Sequence, residues 1–390
     1  MENLAGIAIK KTYESENSFC RYITGNDTGT TGAHQAGFYM PKVTWPLFFD
    51  SPGVKGENKD KYVSIKWQDE FYTESRFIYY GKASRNEYRL TRFGQGFPLL
   101  RDENVGDLLI ICHMGKEDYN AFVLSTDDDI EDYLTGVGIS SADTNKLIPK
   151  LSETSPEEKI SQLFVEYLEK LTTEFPQTSE VSLLARQLYN RVNAINARHV
   201  KKDPDSTILK WLTTEYDLFK QLEIFRYAPV LQQPFQSVDS LVEFANTVLN
   251  RRKSRAGKSL EHHLSEIFDV NNIKYCSQCR TEGNSRPDFI FPTIELYRSV
   301  PSGSSLIAFL AAKTTCKDRW RQIISEADKI PVKHLFTLQQ GISMNQLQEM
   351  EKSKVQLVVP QPYVKSFPKE YQEKIWNLKT FVNFVKEKAS

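Results

Sequence analysis

No run of about eighteen apolar residues occurs in this 390-residue chain, so no segment is expected to span a membrane as a helix. An excess of charge is missing too. The 50 Lys and Arg balance 50 Asp and Glu, which excludes a histone-like basic protein and an acidic tail protein. Neutrality does not exclude nucleic acid as a partner, because a stripe of like charge hides easily inside a neutral total. Cysteine is scarce: 5 residues form no dense, even framework, and a reducing cytoplasm is the expected setting. The opening MENLAGIAIKKTYESEN is charged almost at once and lacks the apolar core of a signal peptide. Neither a GxGxxG nor a GxxxxGK[ST] loop is present, so no nucleotide cofactor is expected. No repeat at a solenoid period appears either.

What is there divides into two halves. Hydrophobic residues at 40% and aromatics at 12% suffice for a sizeable core, which argues against global disorder. From Ser18 to about Val137, short alternating stretches such as YVSIKW (62–67), RFIYYG (76–81) and DLLIICHM (107–114) are punctuated by Gly, Asn, Asp and Pro clusters. That pattern predicts a mainly antiparallel barrel or sandwich. STDDDIEDYL reads as a capped helix start, its aspartates complementing the helix dipole. GISSADTNKLIPKLSETSPEE has no hydrophobic period and marks the approach to a linker. The expected organisation is an N-terminal domain over 1–150, a linker region over 151–175 and a second domain over 176–390.

The second half opens helical. Leu241, Phe244, Ala245, Val248 and Leu249 make an apolar stripe behind a Ser/Asp cap, and a separate helix is predicted over 258–269. Four short, nearly continuous apolar runs follow: DFIF (288–291), LIAFLAAK (306–313), HLFTL (334–338) and VQLVVP (355–360). These suit strands covered on both faces. Helices are predicted over CKDRWRQIISEAD, SMNQLQEMEKSK and PKEYQEKIWNLKTFVNFVKEK, giving an α/β architecture.

The strongest chemical signal is Pro287-Asp288 opening one strand and Ala312-Lys313 closing another. A carboxylate and a lysine at adjacent strand ends suit metal-dependent phosphodiester hydrolysis. The carboxylate holds a hard cation by oxygen, and the lysine places a point charge near water and phosphate. A second carboxylate is needed. Glu326 qualifies if a helix over 316–328 buries Trp320, Ile323, Ile324 and Ala327 and turns Arg319, Gln322 and Glu326 to an adjacent face. Glu261 is a further carboxylate that can join. Taken alone, Asp288 and Lys313 fit ordinary strand-end solvation better than a nuclease site.

Lys317, Asp318 and Arg319 combine two cations and an acceptor, a set able to read G and C edges, or simply a solvated first helical turn. RRKSRAGK concentrates Arg251, Arg252, Lys253, Arg255 and Lys258 between two predicted helices, as phosphate contacts or as an exposed loop. In SRNEYRLTRFGQG, strand alternation puts Arg85, Glu87 and Arg89 on one face, for base reading or for a cross-strand ion ladder. Cys276 and Cys279 form a lone CxxC, so zinc is not expected.

The strings NRRKSRAGKSLEHHL, TEGNSRPDFIFP, KTTCKDRWRQIISEADKI and HLFTLQQGIS together resemble the type II restriction endonucleases of the EcoRII family. The resemblance is collinear from about Ser237 to Pro360. It continues more weakly through NDTGTTGAHQAGFYMP and SRNEYRLTRFGQG. It implies a two-domain α+β protein. The C-terminal part would be a restriction-endonuclease-like α/β core of the PD-(D/E)XK type, and the N-terminal part a B3-like β-pseudobarrel that binds effector DNA. Asp288, Lys313 and Glu326 match the family's active-site positions, with Asp288 and Glu326 as ligands of Mg²⁺, and Glu261 matches its helix carboxylate. Lys317, Asp318 and Arg319 match the segment that reads the C·G pairs of a CC…GG site, with CCWGG the family default and CCNGG the alternative. His34, Tyr39, Arg85, Glu87 and Arg89 lie on the effector-DNA motifs. The CxxC is not a feature of the resemblance and is expected to be structural.

The implied protein is a homodimeric enzyme acting on double-stranded DNA in a bacterial or archaeal cytoplasm. A cognate DNA methyltransferase would be its genetic rather than physical partner. Its N-terminal domain would impose autoinhibition until a second site is bound. Two rivals remain at this point: a non-catalytic B3-type regulator, which would keep its whole function without Asp288, and a structure-selective repair nuclease, which would not need the 317–319 reader.

Overall fold

A computed structural model describes residues 3–29, 37–148, 158–283 and 285–389. The N-terminal half is built on β1 Asn17–Tyr22, β2 Phe38–Met40, β3 Lys59–Trp67, β4 Phe71–Tyr80, β5 Glu87–Thr91, β6 Leu108–Gly115, β7 Asp118–Leu124 and β8 Lys146–Leu147. They form one sheet in the order β2-β5-β4-β3-β7-β6-β1-β8. Every neighbouring pair is antiparallel except β3 with β7. Period-two alternation sends Leu109 and Ile111 into an aromatic core with Phe19, Phe38, Trp67, Phe77 and Tyr88. It sends Leu108, Ile110 and Cys112 the other way, onto helices Leu4–Glu14 and Asp127–Val137. The unbroken apolar run of β6 is thus a strand covered on both sides. Thr126 caps the second of these helices by accepting from the Asp129 N–H.

The C-terminal sheet runs β13-β12-β11-β10-β9, from β9 Cys276–Ser277, β10 Phe289–Phe291, β11 Ala308–Lys313, β12 Lys333–Thr337 and β13 Val355–Val358. β9, β10 and β11 pair antiparallel, whereas β11, β12 and β13 are parallel. One face carries Phe289, Phe291, Leu310, Phe336 and Val358 against helices Pro204–Leu231, Val238–Val270 and Leu378–Ala389. The opposite face carries Ile290, Phe309, Ala311 and Leu335 against Trp320, Ile323, Leu347 and Met350. The chain is therefore a mixed α+β protein whose second sheet sits between two apolar layers.

Several expectations need correction. The 151–175 linker contains helix Glu158–Glu169, whose Phe164 and Leu168 pack on Ala185, Leu218 and Leu222. Residues 138–147 are not linker either, since Ser141 and Thr144 are buried and β8 pairs with β1. The two helices predicted around the basic run are one, Val238–Val270, so the run lies within a helix. Instead of a helix over 316–328 there is a short 3₁₀ segment, Arg319–Ser325, which leaves Ile324 exposed and Glu326 on extended backbone. The final helix is shortened to Leu378–Ala389, with Asp205 from a distant helix accepting the first N–H groups of Leu378 and Lys379.

Candidate active site

Asp288 stands immediately before β10 and Lys313 closes β11, and antiparallel pairing of Phe289 with Leu310 brings the two strand ends together. Asp288 Oδ2 accepts from the Ala312 N–H at 2.8 Å and from Lys313 Nζ at 3.2 Å. Its other oxygen accepts from the Gln278 side-chain amide at 2.9 Å. That amide also donates to Glu261 Oε2 at 3.0 Å, drawing the carboxylate of helix Val238–Val270 to the same spot. Burial pushes the Glu261 carboxyl above its ordinary pKa, and the Asp288 charge adds to the rise. Burial raises Glu326 as well, with Lys313 opposing and Asp288 adding. Glu326 thus feels both Asp288 and Lys313, although it arrives on extended chain rather than on a helix.

This donor set suits a hard divalent cation. The carboxylate oxygens of Asp288, Glu261 and Glu326 are hard donors of the kind that hold such a cation. Among the described residues no three His, Cys, Asp or Glu side chains converge as a metal-binding group.

Four residues beyond Lys313 the predicted reader begins, and the N-terminal half covers it. Asp127 accepts the backbone N–H groups of Lys317 and Arg319, each at 2.9 Å, and that of Asp318. The Lys317 ammonium pairs with buried Asp107. Arg319 reaches Asp128 at 2.8 Å and Glu131 at 2.6 Å. Further along the same seam, Gln339 donates to the Gly106 carbonyl at 2.6 Å and Gln340 to Thr144 at 2.8 Å. Gly106 has φ +93° and presses on the Gly341 carbonyl, so a side chain there would collide with the seam.

Comparison with known proteins identifies this two-part arrangement. Residues 12–145 match the family described as "Restriction endonuclease EcoRII, N-terminal" and residues 219–382 match "EcoRII C terminal". The chain is 33% identical to the type II restriction enzyme EcoRII of Escherichia coli over 385 residues, covering 93% of this chain and 92% of that one. The chain belongs to the EcoRII family of type II restriction endonucleases. It is a site-specific nuclease. Among solved structures it is similar to metal-depleted Ecl18kI in complex with uncleaved, modified DNA, with TM-score 0.47, 16% identity, 60% of this chain and 85% of that one. It is also similar to a PspGI–substrate DNA complex, with TM-score 0.45, 15% identity, 55% of this chain and 93% of that one.

In this endonuclease the other predicted residues fall out unevenly. Tyr39 on β2 sits opposite Arg89 on β5, and Arg89 pairs with Glu87 at 3.2 Å. Arg85 precedes the strand, and its guanidinium lies over the ring of Tyr80, the residue paired with Glu87, 5.1 Å from the centroid. His34 lies outside the described residues. Of the basic run, Arg255 is buried on Glu215 at 2.7 Å, Arg252 is held by Glu223 at 2.8 Å, and Lys253 pairs with Asp132. Arg251 stacks on Phe175 at 3.8 Å and meets the Tyr227 hydroxyl. This arrangement commits those four side chains to partners within the chain, whereas Lys258 is exposed. Sequence reasoning missed Gln278, whose only signal was its place inside the CxxC. It also missed Asp107 and Asp127 as partners of the reader.

Proposed function

We propose that this chain is a Mg²⁺-dependent homodimeric endonuclease that cuts double-stranded DNA at a CC…GG-type site, CCWGG in the first instance, and is restrained until its N-terminal domain holds a second copy of that site. The observation that carries the reading is the juxtaposition of two features: the cluster of Asp288, Lys313, Glu326 and Glu261, and beside it a Lys317-Asp318-Arg319 segment clasped by Asp107 and Asp127. Side chains held by internal carboxylates cannot reach base edges, so DNA binding by the catalytic part requires the clasp to open. Effector DNA opens it only by favouring the open arrangement over the closed one. The B3-like reading of the N-terminal sheet rests on the resemblance, with Tyr39, Glu87, Arg89, Arg85 and His34 proposed for effector DNA. Lys258, which is exposed, and Lys253, whose partner Asp132 belongs to the N-terminal half, are the members of the basic run best placed for phosphates once the domains separate.

The chemistry is in-line hydrolysis: water attacks phosphorus, the 3′-oxygen leaves, and the products carry a 5′-phosphate and a 3′-hydroxyl. Asp288 and Glu326 would hold the Mg²⁺, which supplies charge neutralisation at the phosphate and a more acidic water. Lys313, fixed by its ion pair with Asp288, offers its ammonium to the attacking water and to the phosphate. Support for a dimer comes from the hairpin of helices Pro204–Leu231 and Val238–Val270. Its tip leaves Leu231, Val238, Leu241 and Val242 exposed, an apolar surface of the kind a second subunit covers.

A Mg²⁺-dependent digest of two matched plasmids tests the proposal. Discrete fragments are expected only from the plasmid with several CCWGG sites. Cutting of both into discrete fragments would reject the site assignment, and cutting of neither would reject the activity.

A further inference from the structure

Gln278 occupies the middle of the turn Cys276–Cys279, whose cysteines are joined by a disulfide with Cα atoms 6.0 Å apart. The turn and Gln278 itself are exposed, yet this side chain makes two bonds to charged partners from two different elements. Both partners are carboxylates, which only accept. The amide nitrogen, with its two hydrogens, must therefore face them, and the flipped amide would set oxygen against oxygen. The backbone is fixed as firmly as the side chain. Gln278 has φ +54°, a left-handed conformation costly for a residue with a β-carbon. Its N–H is shared between the Pro287 carbonyl at 3.1 Å and the Asp288 carbonyl at 3.3 Å, and pairing of β9 with β10 anchors the residues before it.

We infer that Gln278 is a positioning residue of the active site, its amide holding Glu261 beside Asp288 so that a divalent cation meets a preset group of oxygens. This rests on the metal-dependent nuclease reading and deepens it. Glu261 comes from a helix and Asp288 from a strand end, and as two anions in a partly buried space they repel each other. Without a donor between them Glu261 would swing toward solvent, and a cation would have to recapture it at the cost of side-chain freedom. Groups that orient metal ligands through hydrogen bonds typically change metal affinity by about 10- to 100-fold when removed. The opposite role, an amide that merely fills the cation's place, predicts that its removal tightens metal binding.

The test is calorimetric titration of the full-length protein with Mn²⁺, comparing wild type with Gln278→Met, which keeps the side chain's length and lacks both donors. The expected result is an Mn²⁺ dissociation constant raised about 10-fold or more. Cleavage should then lose mainly through a higher metal concentration at half-saturation and much less through the rate at saturating metal. Gln278→Asn is the second variant should Gln278→Met fail to fold. Asparagine tolerates the left-handed backbone and keeps the amide but is one methylene too short, so the same loss is expected. Unchanged or tighter Mn²⁺ binding in the variants would overturn the inference while leaving the nuclease reading intact. Wild-type protein that cleaves without any divalent cation would overturn the metal reading itself, and the inference with it.

Discussion

Replacing Asp127 by Asn isolates the clasp on the proposed recognition segment. The carboxylate is buried and accepts three backbone N–H groups from Lys317, Asp318 and Arg319. Hydrogen bonds to a charged acceptor contribute about 1.5–3 kcal/mol each, and neutral ones about 0.5–1.5 kcal/mol. An asparagine turns one oxygen into a donor facing a donor and makes the remaining bonds neutral. The closed arrangement should lose about 2–3 kcal/mol, a shift of about 30- to 150-fold toward the open one. The helix that Asp127 opens still has Thr126 as its cap and Asp128 and Asp129 in its first turn, so the domain should stay folded. The assay is the initial rate of cleavage of a DNA with one site, without effector. Asp127→Asn should raise that rate steeply and approach the level reached by removing residues 1 to about 150. Asp128→Asn is the internal control: its side chain is 88% exposed although it reaches Arg319, and exposed ion pairs contribute little, so its rate should stay within about 2-fold of wild type. An Asp127→Asn rate equal to wild type, alongside an accelerated truncated protein, would show that these bonds are not the restraint. Equal rates in all three proteins would refute restraint by the N-terminal half.

Three further outcomes follow from the fold. Leu241→Glu together with Val242→Glu should abolish dimerisation without unfolding the chain, because both side chains are exposed on the helical hairpin; sedimentation that still reports a dimer would place the interface elsewhere. Glu215 joins Arg255 at 2.7 Å, His263 at 2.8 Å and Ser259 at 2.7 Å inside the helical layer, so Glu215→Ala should cost about 3–5 kcal/mol in urea unfolding by stranding Arg255. Burial alone would raise the Glu215 carboxyl, but Arg255, His263 and Ser259 hold it down to about 2. A depressed carboxyl contributes stability that is complete above its unfolded value, 4.5, and is lost as pH falls from there through about 2. The wild type should therefore lose more stability across that window than the variant, and equal losses would show that the network contributes nothing.

How much of this was legible beforehand depended on range. Strands β10 to β13 were readable because a strand buried on both faces must be apolar at nearly every position, and DFIF, LIAFLAAK, HLFTL and VQLVVP are. Asp288 and Lys313 were readable as strand ends for the same reason. In the sequence Glu326 qualifies only through a helix that does not form: with Asp318 clasped by Asp127 and Ile324 left in solvent, the segment closes only a 3₁₀ stretch. Gly257 and the dense charge of RRKSRAGK mimic a loop, so the local pattern suggests two helices where the chain forms one, Val238–Val270. In the folded chain Glu215, Glu223 and Asp132 take those charges up, and no local pattern announces partners so far away.

By itself the sequence determined which side chains have the chemistry to serve a site and which segments alternate or run apolar, since side-chain chemistry and periodicity are properties of neighbours along the chain. Tertiary structure decided which of those residues meet. Gln278 bridges carboxylates 10 and 17 positions away, and Asp127 reaches Lys317 across 190 residues. Burial of charge next to charge then forces pairings that no local pattern encodes, which is why the clasp on the reader appears only in the folded chain.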